Sequence, residues 1–307
     1  MNPKIKVIGV GGSGSNTVSR MAKFQIKEIE LLAVNTDAQA LYFSKGDKKI
    51  LIGKDITKGL GTGMDADLGR KAAEESKQEI IENLKGADMV FVTCGLGGGT
   101  GSGASPIIAE ISKGLGILTI AVVTTPFSFE GLERKKVAEL ALKNLSEKVD
   151  SLLIISNDRL LKVIDEKTTV SNAFSICDDV LREAVQSITD LILVPGIINI
   201  DFASVVSIIK DSGRALFGVG RTSGIGRAVR AAEMAINSPL LDFSIKGAKG
   251  VLFSVSGNDT TLNEIQEAAK VITKNVDARA QIIFGAVKDE NLKKGEIKIT
   301  VIATKLA

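Results

Sequence analysis

The chain has 307 residues with 39 basic and 36 acidic side chains, a formal net charge of +3, and no histidine or tryptophan. Without imidazole, Ser-His-Asp and Cys-His nucleophile activation, H-E-x-x-H zinc sites and imidazole proton shuttles are excluded, which leaves carboxylates, amides, hydroxyls, arginines, backbone N–H groups and bound ions for any chemistry. No concentrated basic stripe is present for nucleic acid, Cys94 and Cys177 are too few for a disulfide framework or zinc site, and no apolar run reaches the roughly 18 residues of a membrane span, so the expectation is a cytosolic chain of about two domains.

In chain order, short β-branched runs alternate with helical patterns. Strands are expected at Lys4–Val10, Ile29–Val34, Lys49–Ile52, Met89–Thr93, Leu118–Thr124 and Ser151–Ile155, and helices near Ser15–Phe24, Asp65–Asn83, Gly103–Lys113, Leu132–Lys148 and Asn157–Val163. Such alternation predicts an α/β fold, a parallel sheet with helices on both faces and ligands outside the carboxyl ends of its strands. From Val170 to about Leu193 one apolar stripe follows the 3.6 period through Ala173, Phe174, Cys177, Leu181, Ala184, Val185, Ile188 and Leu191. It reads as a single long helix, a spine ended by Pro195-Gly196. Beyond it a smaller α+β domain is expected: helices at Phe202–Lys210, Gly224–Asn237 and Leu262–Thr273, strands at Ala215–Gly220, Gly250–Ser256, Gln281–Val287 and Glu296–Thr304.

Two glycine stretches stand out. Gly9-Val10-Gly11-Gly12-Ser13-Gly14-Ser15-Asn16 follows the first strand, and Gly95-Leu96-Gly97-Gly98-Gly99-Thr100-Gly101-Ser102-Gly103 follows the fourth. Glycine lets a backbone turn sharply against an anion, and the helix start behind it supplies N–H groups and dipole. The first stretch alone matches a dinucleotide fingerprint, with Asp37 where a ribose-binding acid would sit, and so admits an oxidoreductase. A second cradle on another strand has no use in such an enzyme. It is not a Walker loop, because Ala104 occupies the lysine position.

The segment Gly97-Gly98-Gly99-Thr100-Gly101-Ser102-Gly103 resembles the signature loop of the tubulin superfamily. Around it, Asn35-Thr36-Asp37-Ala38, Thr57-Lys58-Gly59-Leu60-Gly61, Thr125-Pro126-Phe127, Phe129-Glu130-Gly131, Pro195-Gly196-Ile197-Ile198-Asn199-Ile200-Asp201-Phe202-Ala203 and Ser238-Pro239-Leu240-Leu241 resemble its bacterial cell-division branch, the FtsZ family, over about residues 4 to 304. The resemblance implies a tubulin/FtsZ fold with a GTP-binding domain at 1–169, a central helix at 170–194 and a C-terminal α+β domain at 195–307. It implies a self-assembling GTPase that polymerises head to tail, hydrolyses GTP at the subunit contact and forms the cytokinetic ring. The cofactors would be GTP/GDP and Mg²⁺, the latter held mainly through phosphates and water. The partners would be further copies of the chain and division-site proteins, in the cytoplasm and without nucleic acid or membrane insertion.

Carried over, Gly11, Gly12, Ser13, Gly14 and Asn16 face the phosphates with Gly98, Gly99, Thr100 and Gly101. Asn35, Asp37, Thr62 and Gly63 lie near the γ-phosphate and Mg²⁺; Glu130 and Arg134 contact ribose and phosphate; Asn157, Phe174 and Asp178 hold sugar and guanine. Read from the residues alone, Phe174 is a core position, Asp178 and Asp179 a solvated helix face, and Arg134 surface charge beside Glu133, Lys135 and Lys136. By the same resemblance, the loop Asn199-Ile200-Asp201-Phe202-Ala203-Ser204 would carry the hydrolytic residues Asn199 and Asp201. At its last position the family has an acid and this chain has Ser204. Serine can orient water but cannot act as an anionic base, which points to slow turnover or to a filament scaffold with little hydrolysis. The usual C-terminal linker and partner-binding tail do not follow Ala307.

Overall fold

The computed structural model describes residues 2–23, 28–161, 164–165, 167–194, 196–238, 244–290 and 292–306. The expected end of the first helix at Phe24, the end of the 157–163 helix, Pro195 and most of Ser238-Pro239-Leu240-Leu241 lie outside these residues. The chain divides into two compact units, 1–186 and 187–307, with the division inside the long helix.

The first unit carries strands β1 (Ile5–Val10), β2 (Ile29–Asn35), β3 (Lys48–Leu51), β4 (Met89–Gly95), β5 (Leu118–Thr125) and β6 (Ser151–Ser156). They are parallel and ordered β3-β2-β1-β4-β5-β6. Strand order reverses between β1 and β4, where a parallel sheet opens a crevice beyond its carboxyl edge. Every residue of β1 is buried, as expected for a strand covered on both faces. The helices are α1 (Gly11–Lys23), α2 (Ala38–Phe43), α3 (Lys54–Thr57), α4 (Ala66–Glu75), α5 (Lys77–Leu84), α6 (Gly99–Gly114), α7 (Leu132–Ser146), α8 (Asn157–Leu160) and α9 (Val170–Leu193), which runs on into the second unit. One core joins Ile8, Val10, Leu32, Val34, Val90 and Val92 of the sheet to Ala72, Ile80, Ala104 and Ile108 of the helices.

Three local expectations need correction. Helices α1 and α6 begin four residues earlier than Ser15 and Gly103, because the glycines are their first turns and not loops before them. Gly11 takes φ +72°, which turns the chain from β1 into α1. The expected helix Asp65–Asn83 is two, α4 and α5, parted at Ser76 (φ −94°, ψ 15°), whose hydroxyl accepts from Gly53 N at 3.0 Å. The helices α2 and α3, six and four residues long, are too short to show a 3.6-residue period, and the sequence reading places none there.

The second unit contains α10 (Phe202–Ile209), β7 (Gly213–Ser223), α11 (Arg227–Ile236), β8 (Gly250–Gly257), α12 (Leu262–Thr273), β9 (Gln281–Lys288) and β10 (Glu296–Thr304). Its strands are ordered β7-β10-β8-β9; β10 is antiparallel to both neighbours and β8 is parallel to β9. Alanines 231 and 235 let α11 settle on β7, whose Gly218 and Gly220 lie against their carbonyls, and with alanines 228 and 232 they share one core with Val251, Phe253, Ile299 and Val301. The start of α12 is fixed by a capping box between Thr261 and Glu264.

Candidate nucleotide-binding site

At the carboxyl ends of β1 and β4 the first unit has a cavity of about 220 Å³. Its floor is the first turns of α1 and α6: Gly11, Gly12 and Ser13 on one side, Gly98, Gly99, Thr100 and Gly101 on the other. No side chain caps α6, so its leading N–H groups stay available to a ligand, with the positive dipole end behind them. The glycines have two different jobs. A Cβ at Gly12 or Gly98 would meet open space, as it should where a ligand approaches the backbone. A Cβ at Gly103 would run into the backbone of α4 at Ala66 and Arg70, so that glycine serves close helix packing.

Three buried hydroxyls stand under the α6 turn: Thr100 Oγ1 is 2.7 Å from Thr36 Oγ1 and 3.3 Å from Thr62 Oγ1. Thr36 escaped the sequence reading, although it lies between two residues singled out there. Asn35 Oδ1 accepts from Thr36 N at 2.9 Å and Asp37 N at 3.3 Å, which shapes the turn after β2. Asp37 is spent on Ala40 N at 2.9 Å as the cap of α2. These two, with Gly14, Asn16 and Gly63, do not line the cavity; Gly14 packs against β4 at Thr93, and Asn16 and Gly63 are exposed.

The opposite wall carries Pro126, Glu130, Arg134, Asn157, Phe174, Cys177 and Asp178. Arg134 is not free surface charge: its guanidinium donates to Glu130 Oε2 at 2.6 Å, while Glu130 Oε1 accepts from Phe127 N at 2.8 Å. Phe174 is not a core residue but 40% exposed, its ring meeting Phe127 edge-on at 5.3 Å. Asn157 is 5% exposed and its side-chain carbonyl has no donor in the protein, an acceptor left waiting in a polar cavity.

Asp178 is buried rather than on a solvated helix face. Burial pushes its carboxyl up to about 6, against the pull of Arg20 and a hydrogen bond from Ser13. Burial, with Asp178 beside it, likewise pushes the Cys177 thiol up to about 12; Cys177 and Cys94 are both free and buried. Arg20, missed by the sequence reading, sits seven residues beyond Ser13 and therefore on the same face of α1.

In the second unit Asn199 and the N-cap Asp201 lead into α10, and Ser204 stands in its first turn. Asn199 Oδ1 accepts from Gly196 N at 2.6 Å, and Asp201 caps the helix by accepting from Ser204 N at 2.7 Å. The Ser204 hydroxyl and N–H hold the Asp201 carboxyl below its usual range.

A parallel sheet whose strand-reversal crevice is floored by two glycine-rich helix starts, with no Walker lysine, defines a nucleotide-binding α/β protein. Residues 4–165 match the Tubulin/FtsZ family GTPase domain and residues 213–307 the FtsZ family C-terminal domain, so the chain belongs to the Tubulin/FtsZ family and is a GTPase. It is 50% identical over 301 residues to Cell division protein FtsZ 1 of Pyrococcus horikoshii, which covers 98% of this chain and 80% of that protein. An empty FtsZ dimer from M. jannaschii superposes with TM-score 0.95 at 44% identity, covering 99% of this chain and 88% of that one. CetZ2 from Haloferax volcanii, in a GTPγS-bound protofilament, shares the fold at TM-score 0.83 and 22% identity, with 98% of this chain and 92% of that one covered.

Proposed function

We propose that this chain is a cell-division GTPase that binds GTP in the β1/β4 crevice, assembles head to tail with copies of itself in the cytoplasm at the division site, and turns GTP over slowly. The observation that carries the binding mode is the convergence of two glycine-rich helix starts with Asp178 and the unpartnered Asn157 carbonyl on one cavity. The N–H groups of 11–13 and 98–101 take the phosphates. Asn157 Oδ1 accepts from a sugar hydroxyl or base N–H, Phe174 stacks on the base, and Asp178 accepts from guanine N1–H and N2–H₂, which adenine does not offer.

Among the described residues no group of three acidic or thiol side chains converges as a metal cage. Phosphate oxygens and water, with the Thr62 and Thr100 hydroxyls at hand, fit Mg²⁺, which keeps several waters and relies on substrate phosphates. When bound, Mg²⁺ would neutralise charge developing on the transferred phosphoryl group.

By family resemblance, Asn199 and Asp201 orient the attacking water in the site of the neighbouring subunit. Ser204 adds a hydroxyl there but no base, and its hydrogen bonds lower the basicity of Asp201. Both effects favour long-lived filaments over rapid turnover. Nucleotide released from denatured protein should be GTP or GDP on chromatography, and phosphate release should rise above a threshold protein concentration along with sedimentable polymer. Adenine or nicotinamide dinucleotide in the released pool, or turnover without a threshold, would overturn the proposal.

A further inference from the structure

We propose that Arg20 is the positioning residue for guanine selectivity, holding the Asp178 carboxylate as an ionised double acceptor without itself touching the nucleotide. The proposal rests on the assignment of Asp178 as the guanine reader. Arg20 Nε lies 3.4 Å from Asp178 Oδ2, and Ser13 Oγ lies 3.4 Å from Asp178 Oδ1. The guanidinium is fixed on α9 at two further points: Nη2 donates to Ser175 Oγ at 2.8 Å, and Nη1 is 3.7 Å from Asp179 Oδ1. Three contacts, at Ser175, Asp178 and Asp179 along about one turn of α9, therefore aim one arginine from α1 at the carboxylate.

The surroundings of Asp178 explain why an arginine is needed. From α9 itself it faces Asp179 and the neutral Cys177 thiol; from the 128–134 segment the cavity receives Glu130, whose charge is already answered by Arg134 at 2.6 Å. Arg182 reaches Asp179 at 3.8 Å. Among the described residues, Arg20 is the cation whose charge and hydrogen bond pull on Asp178, in an environment whose burial otherwise favours the protonated acid. A carboxylate has about four lone-pair sites, so Arg20 and Ser13 leave acceptors for the two guanine N–H groups. A protonated acid would lose one of them and offer a donor where guanine also donates.

The test is calorimetric titration of nucleotide-free wild type, Arg20→Gln and Arg20→Lys with GDP and with ADP from about pH 5.5 to 8.5. The GDP:ADP affinity ratio cancels the titration of the phosphates. A neighbouring arginine lowers a carboxylate by about 1 to 3 pH units. Taking the low end for a partly exposed guanidinium, R20Q should lose about tenfold in the ratio at pH 5.5 and converge on wild type at pH 8.5, while R20K follows the wild-type curve. If R20Q does not fold, R20K and Ser175→Ala carry the test, with S175A showing a smaller loss confined to low pH. A ratio lowered equally at every pH, or equal losses for GDP and ADP, would mean that Arg20 merely ties α1 to α9 and would overturn the proposal alone. Wild type that binds ADP as tightly as GDP would overturn the guanine assignment and this proposal with it.

Discussion

Replacing Asp178 with asparagine should make the empty protein more stable while damaging its nucleotide recognition. Burial raises the carboxyl from an ordinary 3.8 to about 6 in spite of Arg20. That distance is roughly two pH decades, and at about 1.36 kcal/mol for each, ionising Asp178 costs the folded, ligand-free protein about 3 kcal/mol at neutral pH. Because the folded value lies above the unfolded one, the wild type is penalised progressively as pH rises from about 4 to 6 and uniformly above. Asparagine does not titrate, so the stability difference D178N minus wild type should grow by about 3 kcal/mol across that window and then level off. Urea unfolding of nucleotide-free protein at pH 4 and pH 8 measures it, with guanine nucleotide affinity followed in parallel. A mutant less stable than wild type at pH 8, or a difference independent of pH, would show that the Arg20 contact outweighs desolvation and refute the reasoning.

Ser204→Asp should raise GTP turnover about 10²- to 10⁴-fold, the usual worth of a general base, with the assembly threshold retained; phosphate release against protein concentration reads both, and an unchanged rate in normal filaments would remove Ser204 as the cause of the slow hydrolysis proposed above. Gly103→Ala drives a methyl into the α4 backbone at Ala66 and Arg70 and should cost about 1–3 kcal/mol, read as a lower urea midpoint. Arg227, buried between Asp259 at 2.7 Å and Glu264 at 2.5 Å, holds Glu264 down at about 2. That stability is present above about pH 4.5 and lost as pH falls toward 2, so Arg227→Met, which leaves two partly solvated carboxylates without their partner, should cost about 1.5–3 kcal/mol at pH 7 and flatten the acid limb of the pH–stability curve.

Much of this protein could be read before folding. Alternating β-branched runs and 3.6-period stripes locate the parallel sheet and the long helix from Val170 to Leu193, because burial on both faces of a strand, or along one stripe of a helix, leaves a compositional imprint. The two glycine stretches likewise announce an anion cradle, since their spacing along the chain is local chemistry. Period and local composition are silent about which side of a helix a tertiary neighbour will cover. Asp178 therefore reads as a solvated acid and Phe174 as core until α1 and the 127–134 segment are in place, when Asp178 is enclosed and the ring of Phe174 opens to the cavity. The link from Arg20 to Asp178 spans 158 residues of sequence, the Thr36–Thr100 pair 64. The absence of histidine settled from composition alone which chemistries were impossible. The electrostatic state of Asp178 follows from its burial, and the lack of a protein donor for the Asn157 side-chain carbonyl from tertiary packing, neither of which a linear pattern encodes.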